Sequence, residues 1–160
     1  MLPSSPREPQ PTCSQPLRIQ ALFDPAQVLG NLDAPRPLFL SRVAAGFPSP
    51  ADDHVDQDLD LHAYLVRNPP GTYFARAEGD SMTGKGIHDG DLLVIDRSIE
   101  PSNGHTVVAI LNGEMLVKEY RRVGRRLYLL AHNELYPPIT LQEGEECRIW
   151  GVVTHVIHAL

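Results

Sequence analysis

The sequence predicts a mostly β domain carried behind a mobile N-terminal arm, and three observations lead there. Composition breaks near Gly46, with eight of the 15 prolines falling in residues 1–45. Beyond residue 71 the apolar residues gather in short β-rich runs separated by turn chemistry. Between two of those runs stands Asn112-Gly113, the dipeptide that best fits a type I′ hairpin because both positions need positive φ.

Taken in order, residues 1–45, opening with MLPSSPREPQPTCSQP, are too proline-rich for long helices or central strands, since proline fixes φ and removes a backbone donor, and residues 1–16 are expected to be disordered. Residues 17–30 (LRIQALFDPAQVLG) carry apolar side chains that can dock on a surface, so the arm is read as mobile with one or two sticky segments. Residues 46–51 are extended or turning around Pro48 and Pro50. Val55, Leu59, Leu61 and Leu65 suggest a short helix around Leu59–Val66, broken by Asn68-Pro69-Pro70-Gly71. Strands are expected at Thr72–Ala77, Asp91–Asp96, Thr106–Leu111, Glu114–Tyr120, Arg126–Leu130 and Cys147–Ile157.

The chain has 160 residues, enough for one domain plus a tail. Its net charge of −6 gives no general attraction to a phosphate backbone, so sequence-specific or general DNA binding is not expected. The basic stretch Lys118–Arg126 reads as a solvated strand edge. Cys13 and Cys147 lie far apart, without zinc spacing, and are expected to be free thiols. His155 and His158 would face opposite ways on a strand, so no metal or other cofactor is expected. Without an apolar run of about 18 residues or a leader pattern, a cytoplasmic protein is expected.

Chemistry concentrates at Glu78-Gly79-Asp80-Ser81-Met82. A strand ends, a glycine permits a sharp turn, and a serine follows. By position alone Ser81 is a cap, and a hydroxyl is a poor nucleophile without a base. No histidine is a convincing partner. Lys118 is the better candidate, because alternation puts it on one face with Leu116 and Tyr120. Burial there disfavours the charged amine, and a working base needs its pKa brought from about 10.4 to about 7–8, at roughly 3–5 kcal/mol. The competing reading is a lysine that reaches out to solvent.

The set of motifs resembles a known family. Gly79-Asp80-Ser81-Met82, then Gly86-Ile87 and Asp89-Gly90-Asp91-Leu92-Leu93-Val94, look like the serine region of the LexA/UmuD self-cleaving serine-lysine peptidases. Val117-Lys118, with the lysine 37 residues after Ser81, looks like the lysine region, and Ala45-Gly46, 35 residues before Ser81, like the bond these proteins cut in themselves. Gly46-Phe47-Pro48-Ser49-Pro50-Ala51 and Gly151-Val152-Val153-Thr154-His155-Val156 resemble the UmuD branch. The resemblance covers about residues 38–158, and the arm of 45 residues is longer than that branch leads one to expect.

The resemblance implies a LexA/UmuD-type peptidase fold at residues 46–160 and an arm, residues 1–45, that self-cleavage removes. It implies Ser81 as nucleophile, Lys118 as general base, backbone N–H groups near Ser81 as oxyanion donors, and a cut at Ala45-Gly46. Further implied are a homodimer, stimulation by a RecA filament on single-stranded DNA, and a cleaved form that joins a UmuC-type Y-family polymerase in SOS translesion synthesis. The alternatives are a LexA-like repressor, for which residues 1–45 are too short and proline-rich to hold a helix-turn-helix, a membrane-anchored signal peptidase, which lacks its anchor, and a non-enzymatic interaction module.

Overall fold

The structure, a computed structural model, describes residues 16–23, 36–39, 55–141 and 145–160. Among these residues ten strands carry the fold: β1 Arg18–Phe23, β2 Arg36–Phe39, β3 Val55–Leu59, β4 Thr72–Glu78, β5 Leu92–Asp96, β6 Thr106–Leu111, β7 Glu114–Val123, β8 Arg126–Leu130, β9 Ile139–Thr140 and β10 Cys147–Ile157. Among the described residues one short α-helix, α1, spans Leu61–Leu65 and is capped by the Asp60 side chain on the Ala63 N–H. The protein is mostly β and its ladders are antiparallel, as expected from the turn-punctuated sequence. No helix of the described residues is long and apolar enough to cross a membrane.

Eight strands form one sheet in the order β1-β4-β5-β10-β6-β7-β8-β9, and β1 also pairs with β7 at Arg18↔Leu116. Strands β1, β4, β5, β10, β6 and β7 therefore close into a ring, with β8 and β9 extending from β7. Inside it Leu17, Ala75, Ala77, Met82, Ile87, Leu93, Ile95, Val108 and Val117 are buried together. Such a core stabilises by removing apolar area from water, at about 25 cal/mol per Å². A second cluster, including Val107, Tyr120 and Leu129, packs elsewhere on the sheet. The β6–β7 hairpin turns through Asn112 and Gly113 with φ of 50° and 86°, the positive pair that a type I′ turn needs.

Several expectations need correction. Residues 1–45 were expected to hold no central strand, yet β1 lies within them, between β4 and β7. Its physical reason is local: residues 17–24 contain no proline, so the segment keeps its donors between Pro16 and Pro25. The sticky-segment reading of the same residues matches this docking. Strand β2 contains Pro37 but belongs to a two-stranded ribbon with β3, where one edge needs no partner. The helix expected at Leu59–Val66 is shorter, because Val55–Leu59 pairs as β3. Strand β9 was missed at two residues. The basic stretch from Lys118 is no sheet edge, since β7 has β6 and β8 as neighbours.

Candidate active site

Strand β4 ends at Glu78, and Gly79 turns the chain with φ of 102°, a conformation side chains with a Cβ resist. The Gly79 N–H donates to Asp89 Oδ1 at 2.8 Å, tying the turn to the loop before β5. Ser81 and Met82 follow, both fully buried, and the chain then closes a 3-10 turn at Thr83–Lys85. The loop after β8 pins this turn from the other side. The His132 N–H donates to the Ser81 carbonyl, and the Gly84 N–H to the His132 carbonyl, each at 2.8 Å. Asn133 Nδ2 donates to the Asp80 carbonyl at 3.1 Å, and the Tyr136 hydroxyl donates to Asp80 Oδ1.

Lys118 comes from β7, paired across the hairpin with Val107. Leu116, Lys118 and Tyr120, expected to share a face, are all buried, and Lys118 is only 2% exposed. Its Nζ lies 2.5 Å from Ser81 Oγ. Burial lowers the Lys118 pKa from 10.5 to about 8, opposed by the nearby Asp80 charge, which favours the ammonium form. The structure thus brings Ser81 and Lys118 into direct hydrogen-bond contact. Ser81 Oγ also accepts the Leu17 N–H at 2.9 Å.

The next residue along β7, Glu119, is 5% exposed and points to the other side. Its carboxylate meets Lys85 Nζ at 2.9 Å, His132 Nε2 at 2.7 Å and Arg121 at 3.3 Å. The hydrogen bond from Lys85 holds its carboxyl below the usual range; burial opposes the shift and His132 adds to it. Lys85 belongs to the turn after Ser81 and His132 to the loop that holds Ser81, so Glu119 fastens both to the strand that carries the lysine. Sequence reasoning named Asp80 only as a neighbour of Ser81 and missed Lys85, Glu119, His132 and Tyr136 as parts of the site. Only the acidic neighbour of Lys118 was a local clue.

The expectation of free cysteines holds for Cys147; Cys13 lies outside the described residues. Burial pushes the Cys147 thiol up, with Glu145 adding to it. Among the described residues His88, Asp91 and His158 gather their donor atoms within 4.8 Å of one another and could hold a cation. The His155–His158 spacing gave no hint of this, because His158 lies past the end of β10 and meets Asp91 instead. The buried Asp91 carboxylate has protein partners on both oxygens, His158 Nδ1 at 2.6 Å and the His88 N–H at 2.8 Å. These contacts tie the C-terminal end to the loop before β5.

Ala45 and Gly46 lie outside the described residues, in the connection between β2 and β3. A family model described as Peptidase S24-like matches residues 37–154. The chain belongs to that family. It is a UmuD-like member: it is 47% identical over 122 residues to protein SamA of Salmonella typhimurium, covering 76% of this chain and 84% of that one. It is 44% identical over 139 residues to protein ImpA of Shigella flexneri, covering 84% and 91%. The LexA repressor of Paracidovorax citrulli is 41% identical over 118 residues, 74% of this chain but 52% of that one. These matches place the chain among the self-cleaving serine peptidases of the SOS response.

Proposed function

We propose that the chain is a serine-lysine peptidase that cuts itself once, at Ala45-Gly46, to release an arm of residues 1–45 from a domain of residues 46–160. The observation that carries this reading is the buried Ser81–Lys118 contact, with a lysine whose pKa falls to about 8 and which has no ion pair among the described residues. Neutral Lys118 Nζ takes the Ser81 proton as Oγ bonds to the Ala45 carbonyl carbon. The oxyanion is held by N–H groups of the turn that carries Ser81. As the C–N bond breaks, Lys118 returns the proton to the Gly46 amine. Water, deprotonated by the same lysine, then frees the acyl group from Ser81.

The cleaved form, as a homodimer, would join a UmuC-type Y-family polymerase for translesion synthesis in the cytoplasm, and a RecA filament on single-stranded DNA would accelerate the cut by favouring the conformation in which the bond meets Ser81. Support for this branch over a repressor comes from the relatives SamA and ImpA, matched over most of their own length. Intact-mass measurement after incubation with RecA, single-stranded DNA and nucleotide tests the reading. A product beginning at Gly46, absent in Ser81→Ala, is expected. Any other new N-terminus, or an undiminished cut in Ser81→Ala, overturns it.

A further inference from the structure

The catalytic groove is already filled by the chain itself. Strand β1 runs antiparallel along β4 from Arg18↔Glu78 to Phe23↔Phe74. At its N-terminal end it reaches β7, where the Val117 N–H donates to the Leu17 carbonyl at 3.1 Å. It is therefore bonded at once to the strand that leads into Ser81 and to the strand that carries Lys118. Leu17 is fully buried and packs with Ala77, Met82, Ile87 and Val117, while Ile19 packs against the same cluster half-buried. Arg18 points outward and pairs with Glu114 of β7 at 3.3 Å. This is strand addition to a sheet, with main-chain bonds for affinity and one anchored apolar side chain for register.

The contact with the nucleophile decides what kind of ligand this is. The Leu17 N–H points at Ser81 Oγ, 2.9 Å away. An N–H hydrogen bond of this kind puts the acceptor near the plane of the Pro16–Leu17 peptide, on its hydrogen edge. Attack on a carbonyl comes from above that plane, so the Pro16–Leu17 bond is held edge-on and out of reach of displacement. Oγ has two lone pairs, and one is committed to this N–H.

We infer that the groove between β4 and β7 is a binding site for an extended apolar strand, and that residues 17–23 are its resident, uncleavable occupant. The site holds the peptidase off until the strand leaves. The inference rests on the serine-lysine reading above and adds a competitor, 22 residues upstream of the proposed cut (Phe23 to Ala45). Because the competitor is in the same chain, its inhibition is first order and does not depend on protein concentration.

The test compares self-cleavage of the full chain at about pH 10, without RecA, in the wild type, Leu17→Ala and Leu17→Asp. A charge at a fully buried position undocks the strand, so Leu17→Asp should cut about tenfold faster, with Leu17→Ala in between. A synthetic peptide of residues 14–25 added to Leu17→Asp should slow it again, which a misfolded variant would not show. Equal rates in all three chains, with Ser81→Ala inert, would overturn the inference and leave the peptidase reading intact. A product beginning at Leu17 would also overturn it, by making the strand a substrate. Absence of any cut in all three would remove both.

Discussion

Two neighbouring residues of β7 carry opposite charges into the protein and are treated in opposite ways. Glu119 is met by Lys85, His132 and Arg121, and the first of these holds its carboxyl below the usual range. Lys118, as deeply buried, meets a serine hydroxyl and lies near the Asp80 charge, and burial drives its pKa down to about 8. A compensated charge holds a structure together, and removing a partner leaves it in place at some cost. A buried charge with no ion pair among the described residues marks a candidate functional group. The contrast separates a buried charge tied into three ion pairs from one that has none among the described residues, and only the second has its charged form disfavoured by burial.

The largest test of this contrast removes the proposed catalytic pair. Ser81→Ala and Lys118→Ala should each lower self-cleavage at neutral pH by about a thousandfold or more, read as intact mass over time. Glu119→Gln should leave the cut measurable, because that carboxylate touches no reacting atom. A loss in Glu119→Gln as deep as in Lys118→Ala would erase the distinction.

Next comes pH. With a pKa of about 8, about a tenth of Lys118 is neutral at pH 7 and nearly all at pH 10, so wild-type cleavage should rise about tenfold between them. The residual rate of Lys118→Ala should lack that rise. A flat wild-type profile would mean that the amine is not the base.

Stability should separate the two residues as well. The unfolded chain holds the Lys118 proton up to about 10.5 and the folded chain only to about 8, so between those values the unfolded state binds more protons and stability rises with pH. Relative to Lys118→Met, the wild type should gain about 3 kcal/mol across that window, by urea unfolding at each pH. For Glu119 the sign is reversed. Its lowered pKa gives stability that is present above the ordinary carboxylate value and is lost as pH falls through the folded one. Glu119→Gln should cost about 1 kcal/mol near neutrality and flatten the acid limb, since Lys85, His132 and Arg121 are exposed enough to regain water.

The smallest effect tests the Asp80 charge near the lysine. Asp80 favours the ammonium form, so Asp80→Asn should move the midpoint of the pH–rate curve toward acid. A move toward base would show that Asp80 acts through the Tyr136 hydrogen bond to the turn instead.

Much of the ring was legible because its strands are local patterns: β6, the Asn112-Gly113 turn and β7 announce themselves within 18 residues, 106–123. Ser81 and Lys118 were legible as a pair only through the ordered set of motifs around them, since nothing in either residue's own neighbourhood rules out a cap and a snorkelling lysine. Glu119's partners were not legible. Lys85 and His132 reach it through turns whose approach depends on the closed sheet, and one sequence carries no record of that approach. Strand β1 was hidden by averaging, because the proline count of the whole arm masked a proline-free stretch whose pairing is decided by tertiary contacts.

The ribbon of β2 and β3 has a consequence for the proposed cut. The Ala45-Gly46 bond lies in the connection between its two strands, with β2 on one side and β3 on the other. Hydrolysis there would nick the molecule rather than shorten it. The severed piece would still be zipped to the remainder by β2 along β3, and β1, displaced for the cut, would dock again along β4 and β7. Two weak grips on one strip act at high effective concentration, so releasing either alone lets it re-form before the other lets go. Departure of the strip, and not the hydrolysis that precedes it, would then set when a partner finds the bared surface.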